Sequence, residues 1–497
     1  MTAATSTAAS ATARGAGSGR WPTASPHLAF LADRGMGASV LVAALSSAFG
    51  AVLLTATGYI GAVLSANPYI GDSETLGFVL GIVSVIFLGI AIYVGAIVTA
   101  NTFSTVVAGR TRRIALMRLV GASARSQRAD VARQGLLVGI IGAFLGLLVG
   151  TVFSAACVAA AGAWLGVDDV SYAVVHGSLL LPAAIVAGTT WAAAWVGSRR
   201  VLSVTPLQAL GGSVETAHGD LARVKGRNAV AIILFALGAA LLAAGIAVGL
   251  VSPVGVIVAF FGGLLSFSGL VAGAAVFMPP VLRVVGRWFG RSAPARLAAE
   301  NALRYPERTS RMAIGIVIGV TLITMFAVAL ETTKAVIAAS AGGTLEPDLA
   351  AVLDTFVVIV TVLIGVSAVI AAVGLVNLLT LGIVQRRREL GLLRALGLSN
   401  AQVRRMVLAE AAHVTATAVA TGLVLGIAYG WAGAQSLLGS VRVSPDSPTG
   451  GFFVAPALPW ATLLAVVVAA AALALIAAVV PTRLATRVAP VEALSAE

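Results

Sequence analysis

The residues that can carry chemistry in this chain are few and scattered. Its four histidines are far apart in the sequence, at His27, His176, His218 and His413. Cys157 is the single cysteine, which excludes an internal disulfide and any Cys/His spacing typical of a metal site. The phosphate-binding sequence G-x-x-x-x-G-K-[ST] does not occur, so this chain is not expected to hydrolyse ATP itself. We therefore expect neither a catalytic site nor a bound cofactor or metal.

Glu410 and His413 are three residues apart, so on a helix they lie on one face. A polar contact at a membrane interface and a proton relay are both open for this pair, and the first is favoured. Ion-coupled carriers place charges near the middle of their spans. Because Glu331 and Asp354 fall near the ends of predicted spans, the sequence argues against such a carrier.

A short segment occurs twice, at 112–123 and again at 388–399. A second match pairs 204–210 with 488–494, at a slightly larger offset. Self-similarity at a nearly constant offset is typical of an internal repeat. The larger second offset predicts a longer loop between the last two spans of the later repeat.

The repeated segment predicts a sharp corner between two helices. Gly121 and Gly397 stand where the end of a helix favours a left-handed residue. Ser123 and Ser399 follow as N-caps of a second, short helix, and Gln402 completes a capping box in the later copy. Two interpretations stay open, a basic helix lying on lipid headgroups and a rigid docking element for a cytoplasmic partner. Repetition at one offset favours docking.

The elements that must position these corners are membrane spans. Hydrophobic residues make up 59% of the 497 residues and charged residues only 10%, which is far too little charge to cover a soluble protein of this length. About 20 apolar residues cross the hydrocarbon core as a helix. We predict ten such helices, at 38–65, 76–106, 135–164, 178–198, 228–250, 255–281, 312–332, 351–384, 411–435 and 457–481.

The positive charge gives the orientation. Thirty of the 32 Lys and Arg residues fall in six short segments outside the spans, and cytoplasmic segments carry such an excess. The segments are 1–37, 107–134, 199–227, 282–311, 385–410 and 482–497. Both termini are therefore expected in the cytoplasm, and the net charge of +13 needs no nucleic acid partner to explain it.

The predicted fold is an all-α polytopic membrane protein with two parallel four-helix repeats joined by a two-helix hairpin. Because two spans separate the repeats, both enter the membrane in the same direction. The expected divisions are a disordered cytoplasmic tail at 1–25, the first repeat at 26–212, the hairpin and its linker at 213–294, and the second repeat at 295–497.

The basic run, the sequence Leu-Leu-Arg-Ala-Leu-Gly-Leu-Ser at 392–399 and the closing Val-x-Pro-x-x-Ala-Leu of each repeat resemble the FtsX-like permease family of ABC transporters. The likeness covers about 30–212 and 295–497. The ten-span, four-two-four layout looks most like the subgroup that handles peptide antibiotics. One departure is that family members usually carry a large outer domain between the first two spans of a repeat, where this chain has only 66–75 and 333–350.

The resemblance implies a permease subunit that couples ATP hydrolysis in partner subunits to export or membrane extraction of an amphipathic, lipid-like or peptide compound. Two copies of a cytoplasmic ATPase would bind the ATP and Mg, in the cytoplasmic membrane of a bacterium. The alternative is a signal transducer that reports to a histidine kinase or activates an extracytoplasmic partner. The residues expected to couple to the ATPases are Arg118, Gly121, Ser123, Arg125, Arg128, Glu389, Arg394, Gly397, Ser399, Gln402 and Arg404.

Overall fold

In the computed structural model of the chain, helices form along the long apolar stretches of the sequence. The structure describes residues 36–65, 117, 121–165, 172–198, 225–287, 306–340, 397–440 and 453–487, with scattered residues within 81–100 and 300–303. The described residues contain no strand. The helices are α1 (Met36–Ser65), α2 (Ala124–Leu165), α3 (Leu180–Gly197), α4 (Lys225–Gly249), α5 (Gly255–Ala272), α6 (Ala274–Gly286), α7 (Pro306–Ser340), α8 (Asn400–Leu438) and α9 (Trp460–Arg487).

Seven of these helices are long and apolar enough to cross a membrane, namely α1 to α5, α7 and α8. The chain is thus an all-helical, multi-pass membrane protein over its described part. The described residues of the second predicted span are helical. The eighth predicted span and the predicted division points near 25, 212 and 294 lie outside the described residues, so the layout of ten spans stays a prediction.

The predicted short helix after each corner proves to be the beginning of a long one. α2 runs without a break for 42 residues from Ala124, and α8 runs for 39 residues from Asn400. Neither corner is followed by a proline or a glycine within the next ten residues, so nothing ends the helix before its apolar part begins. Each corner is therefore the start of a membrane-crossing helix.

The predicted sixth span, 255–281, is divided in two. α5 ends at Ala272, the chain turns at Gly273, and α6 follows. Pro279 and Pro280 lie inside α6, where a proline can donate no backbone hydrogen bond to the preceding turn. The prediction of a single helix over 255–281 was wrong, because the chain turns at Gly273 and a new helix begins after it.

Glycines let α2 pack directly on α1. Gly142, Gly146 and Gly150 recur every four residues along one face of α2. A Cβ added at Gly150 would lie 2.9 Å from the Cα of Ala48, so the backbones are in near contact. The Ser47 hydroxyl also donates a 2.9 Å hydrogen bond to the carbonyl of Ala143, which joins the two helices.

The α7–α8 pair is built in the same way. A Cβ at Gly426 would lie 2.5 Å from the Cβ of Thr324, and one at Gly422 would lie 2.7 Å from the Cβ of Val320. The number of residues from Gly146 to Gly422, and from Gly150 to Gly426, equals the number from Gly121 to Gly397. The same number separates the residues of α1 and α7 that these glycines contact. The offset found in the corners therefore extends to the contacts between the spans.

The segment 453–459 is fixed across one end of the α7–α8 pair. The indole N–H of Trp431 donates to the carbonyl of Val454 at 2.7 Å, and the Val454 N–H donates to the Gln435 amide oxygen at 2.7 Å. The Ala457 N–H donates to the Thr332 hydroxyl at 3.2 Å. Gln435 and Thr332 are fully buried, so this segment before α9 is an integral part of the packing.

Replacing Gly426 with Leu should force α7 and α8 apart, because its Cβ has no room beside Thr324. We expect a loss of about 1–3 kcal/mol in the free energy of unfolding, measured as a lower Tm in detergent. Gly188→Leu in α3 is the matched control, because no atom lies within 4 Å of its added Cβ. Equal melting temperatures for the two variants would contradict close packing at the α7–α8 seam.

Candidate functional site: the paired helix corners

The second corner has the backbone geometry predicted from its residues. Gly397 has a φ of +100°, in the left-handed region that favours glycine. Two residues later, Ser399 is extended, and its hydroxyl accepts a hydrogen bond from the Gln402 N–H at 3.3 Å. The Gln402 side chain accepts from the Ser399 N–H at 2.9 Å, which completes the predicted capping box.

The first corner repeats this geometry with a weaker cap. Gly121 has a φ of +106°, and the Ala122 N–H donates to the carbonyl of Met117 at 2.9 Å, the bond that closes a helix in a Schellman motif. The Ser123 hydroxyl accepts from the Ser126 N–H at 3.1 Å. A serine side chain is too short to replace the glutamine of the capping box, so the first copy fits that motif less well.

These two glycines are the only residues with positive φ in the described part of the chain. An added Cβ would meet no atom within 4 Å at either position. The need for glycine at Gly121 and Gly397 therefore comes from backbone conformation and not from crowding. Both corners are exposed, so each is open to a partner protein.

The two corners are held to the helices behind them by different contacts. At the second corner, Leu398 packs against the buried side chains of Val403, Met406 and Val407. At the positions equivalent to Val403 and Met406, the first copy has glutamine and aspartate, so these positions cannot form the same apolar cluster.

The first corner is held instead by a cation–π contact. The guanidinium of Arg128 lies 3.9 Å from the ring centroid of Trp195 in α3, and its Nη2 donates to the Trp195 carbonyl at 3.4 Å. Such contacts contribute about 0.5–2 kcal/mol. Trp195 was missed at the sequence level, because nothing local to either residue indicates that they meet.

The other predicted coupling residues fall into two groups. Arg125 and Arg404 are exposed within the first five residues of α2 and α8, where they are accessible from outside the protein. Arg118, Glu389 and Arg394 lie outside the described residues.

None of the described residues forms a His, Cys, Asp or Glu cluster able to hold a metal ion.

His413 makes a polar contact between two helices, and its pairing with Glu410 at the membrane interface stays a prediction. Its side chain is buried, and Nε2 donates to the carbonyl of Leu282 in α6 at 2.8 Å. Thr417 in turn donates to the His413 carbonyl at 2.8 Å. His413 thus anchors α8 to the helix that follows the break at Gly273.

Comparison with known proteins accords with the repeat. The family profile described as FtsX-like permease C-terminal matches twice, at 85–206 and at 361–490, which together are half of the chain. The starts of the two matches are as far apart as residues 112 and 388, and their ends are as far apart as residues 204 and 488. The profile therefore reproduces both offsets of the repeated motifs.

One curated relative is the ABC transporter permease YtrF of Bacillus subtilis (strain 168). The two sequences are 30% identical over 66 residues, which is 13% of this chain and 15% of the relative. The chain therefore matches only a small part of that relative's length.

Ser399→Ala should loosen the first turn of α8, because it leaves the Gln402 N–H without its cap. Loss of an N-cap costs about 1 kcal/mol, or about fivefold in local opening. Hydrogen–deuterium exchange of peptides that cover residues 399–405 would measure this. Ser399→Asp keeps an N-cap acceptor and should exchange like the wild type, whereas unchanged exchange in Ser399→Ala would show that the cap contributes nothing.

Proposed function

The chain belongs to the FtsX-like permease family, and on that basis we propose that it is the membrane subunit through which an ABC transporter acts on an amphipathic compound. ATP and Mg would be bound by separate cytoplasmic ATPase subunits. The observation that carries this proposal is the pair of glycine corners, each at the start of a helix long enough to cross the membrane.

The corners are suited to transmit movement because each continues into one unbroken helix. α8 is 39 residues long, which corresponds to about 60 Å at about 1.5 Å per residue. A partner that displaces the Gly397 corner therefore displaces a rigid rod across the whole membrane. The glycine seam transfers that displacement to α7, because the backbones of the two helices are in near contact.

We assign ATPase contact to the side chains around the corners. Arg125 and Arg404 are exposed beside them, and Arg118, Glu389 and Arg394 are proposed to complete the contact. Gly121, Ser123, Gly397, Ser399 and Gln402 set the backbone of the corners, and Arg128 holds the first corner to α3. The cationic side chains favour an acidic surface on the ATPase.

The proposed orientation places both corners on the cytoplasmic side. The Lys and Arg distribution supports this orientation in the cytoplasmic membrane of a bacterium, with both termini inside. The proposed layout has ten spans in two parallel repeats around a hairpin, like the peptide-antibiotic resistance subgroup.

The compound is proposed to be lipid-like or peptidic and to be exported or extracted from the membrane. The alternative is signal transduction to a histidine kinase or an extracytoplasmic protein. The two differ in a measurable way, because a transporter changes the distribution of the compound between membrane leaflets or compartments and a transducer does not.

We predict that one permease chain binds two ATPase subunits, since one chain carries two corners. Native mass spectrometry of the complex released from detergent would measure the composition. A complex with two permease chains and two ATPases would contradict the proposal that each corner of one chain binds its own ATPase.

Gly397→Val should abolish stable ATPase binding while the chain still inserts into the membrane. A β-branched residue strongly disfavours positive φ, so the corner must distort. Co-purification of the ATPase with the tagged permease measures binding, and Gly121→Val should act in the same direction but less severely.

Gly397→Asn is the matched control, because asparagine tolerates the left-handed conformation better than other residues with side chains. It should retain most of the ATPase. If Gly397→Val co-purifies as much ATPase as the wild type, the corner is not the docking element.

A further inference from the structure

An apolar cavity of about 140 Å³ lies where the α4–α5 hairpin meets α7 and α8. Its wall also includes Tyr93 from the second predicted span, so helices from both repeats and the hairpin line it. The lining is made by residues distant in the sequence, and no motif indicates it. Neither Gly121 nor Gly397 belongs to the wall, so the role of the cavity is separate from ATPase docking.

The two tyrosines of the cavity direct their hydroxyl groups into the hairpin. The Tyr93 hydroxyl donates to the Leu264 carbonyl at 3.0 Å and lies 2.7 Å from the Ser268 hydroxyl. The Tyr429 hydroxyl lies 2.9 Å from the Ser266 hydroxyl. Because these hydroxyl groups are already hydrogen-bonded, the tyrosines face the cavity with the carbon atoms of their rings. The rest of the wall consists mostly of aliphatic and Phe side chains.

The size and chemistry of the cavity fit hydrocarbon. An engineered cavity of about 150 Å³ lined by Leu, Ile and Phe stays free of water and binds benzene. This cavity has a similar volume and a similar lining, and it lies among membrane-crossing helices where hydrocarbon is the surrounding solvent. A group of benzene size or a short length of alkyl chain is therefore the expected occupant.

We propose that this cavity binds the hydrocarbon chain of the lipid-like compound on which the transporter acts. The inference rests on the proposed function, since it names the part of the compound that the permease recognises. The link to ATP is α8. Tyr429 and Gly433 of the cavity wall lie on the same unbroken helix that begins beside the Gly397 corner, so movement of that corner changes the cavity.

Two glycines in the wall allow the cavity to be filled without damage to packing. An added Cβ at Gly263 of α5 or at Gly433 of α8 meets no atom within 4 Å. A leucine at either position therefore occupies the space of the ligand. Gly188→Leu in α3 is the matched control, because its Cβ is equally unhindered and it is not part of the wall.

The test uses the full chain in nanodiscs that contain a phospholipid with a photoreactive diazirine at the end of one acyl chain. After irradiation, mass spectrometry locates and quantifies the label on peptides from α5 and α8. Exclusion of about two methylene groups weakens binding by about tenfold. We expect Gly263→Leu and Gly433→Leu each to reduce cavity labelling by about that factor, and Gly188→Leu to label like the wild type.

Undiminished labelling in both filled variants, or an equal loss in the control, would overturn the proposal. In the ATPase complex, trapping with ATP and vanadate should change wild-type cavity labelling. Labelling that ATP does not affect would identify a resident lipid and contradict the role in transport. Labelling of the permease alone needs no ATPase. Failure of the complex to assemble would therefore contradict the proposed function, whereas the labelling of the cavity would still test hydrocarbon binding.

Discussion

Backbone contact between helices is the constraint on which the rest of this structure depends. Lipid tails are as apolar as leucine, so helices in a membrane gain little from burying hydrophobic surface against each other. They associate through close packing, and glycine permits it by removing the side chain from the interface. In this chain, Gly146 and Gly150 hold α2 to α1, and Gly422 and Gly426 hold α8 to α7. The two rigid pairs that result give each corner a fixed base.

In the proposed coupling role, the corners act through the long helices that they begin. A cap that ended a short surface helix would leave a flexible joint between a docking element and the membrane. Here the helix after each cap continues through the membrane, so the position of Gly121 or Gly397 determines the position of an entire span. The different anchors behind the two corners, Arg128 on Trp195 and an apolar cluster around Met406, show that equivalent backbone geometry does not require equivalent side chains.

The hairpin makes the two halves unequal. α4 and α5 pack on α8, and the cavity lies at that junction. His413 adds a polar link from α8 to α6, next to the break at Gly273. The helix that starts at the second corner is thus connected to the seam, the hairpin and the cavity wall. In the proposed mechanism, this arrangement links the position of one exposed loop to the shape of an apolar site within the membrane.

Features encoded by local patterns could be predicted from the amino acids alone. Apolar stretches indicated the helices, two nearly equal offsets indicated the repeat, and Gly397, Ser399 and Gln402 predicted a corner whose φ and capping box the structure reproduces. Packing in three dimensions decides which residue Arg128 contacts and where a cavity remains. Those features depend on contacts between distant segments, such as Arg128 with Trp195 or Tyr429 with Ser266, and no local period or spacing records them.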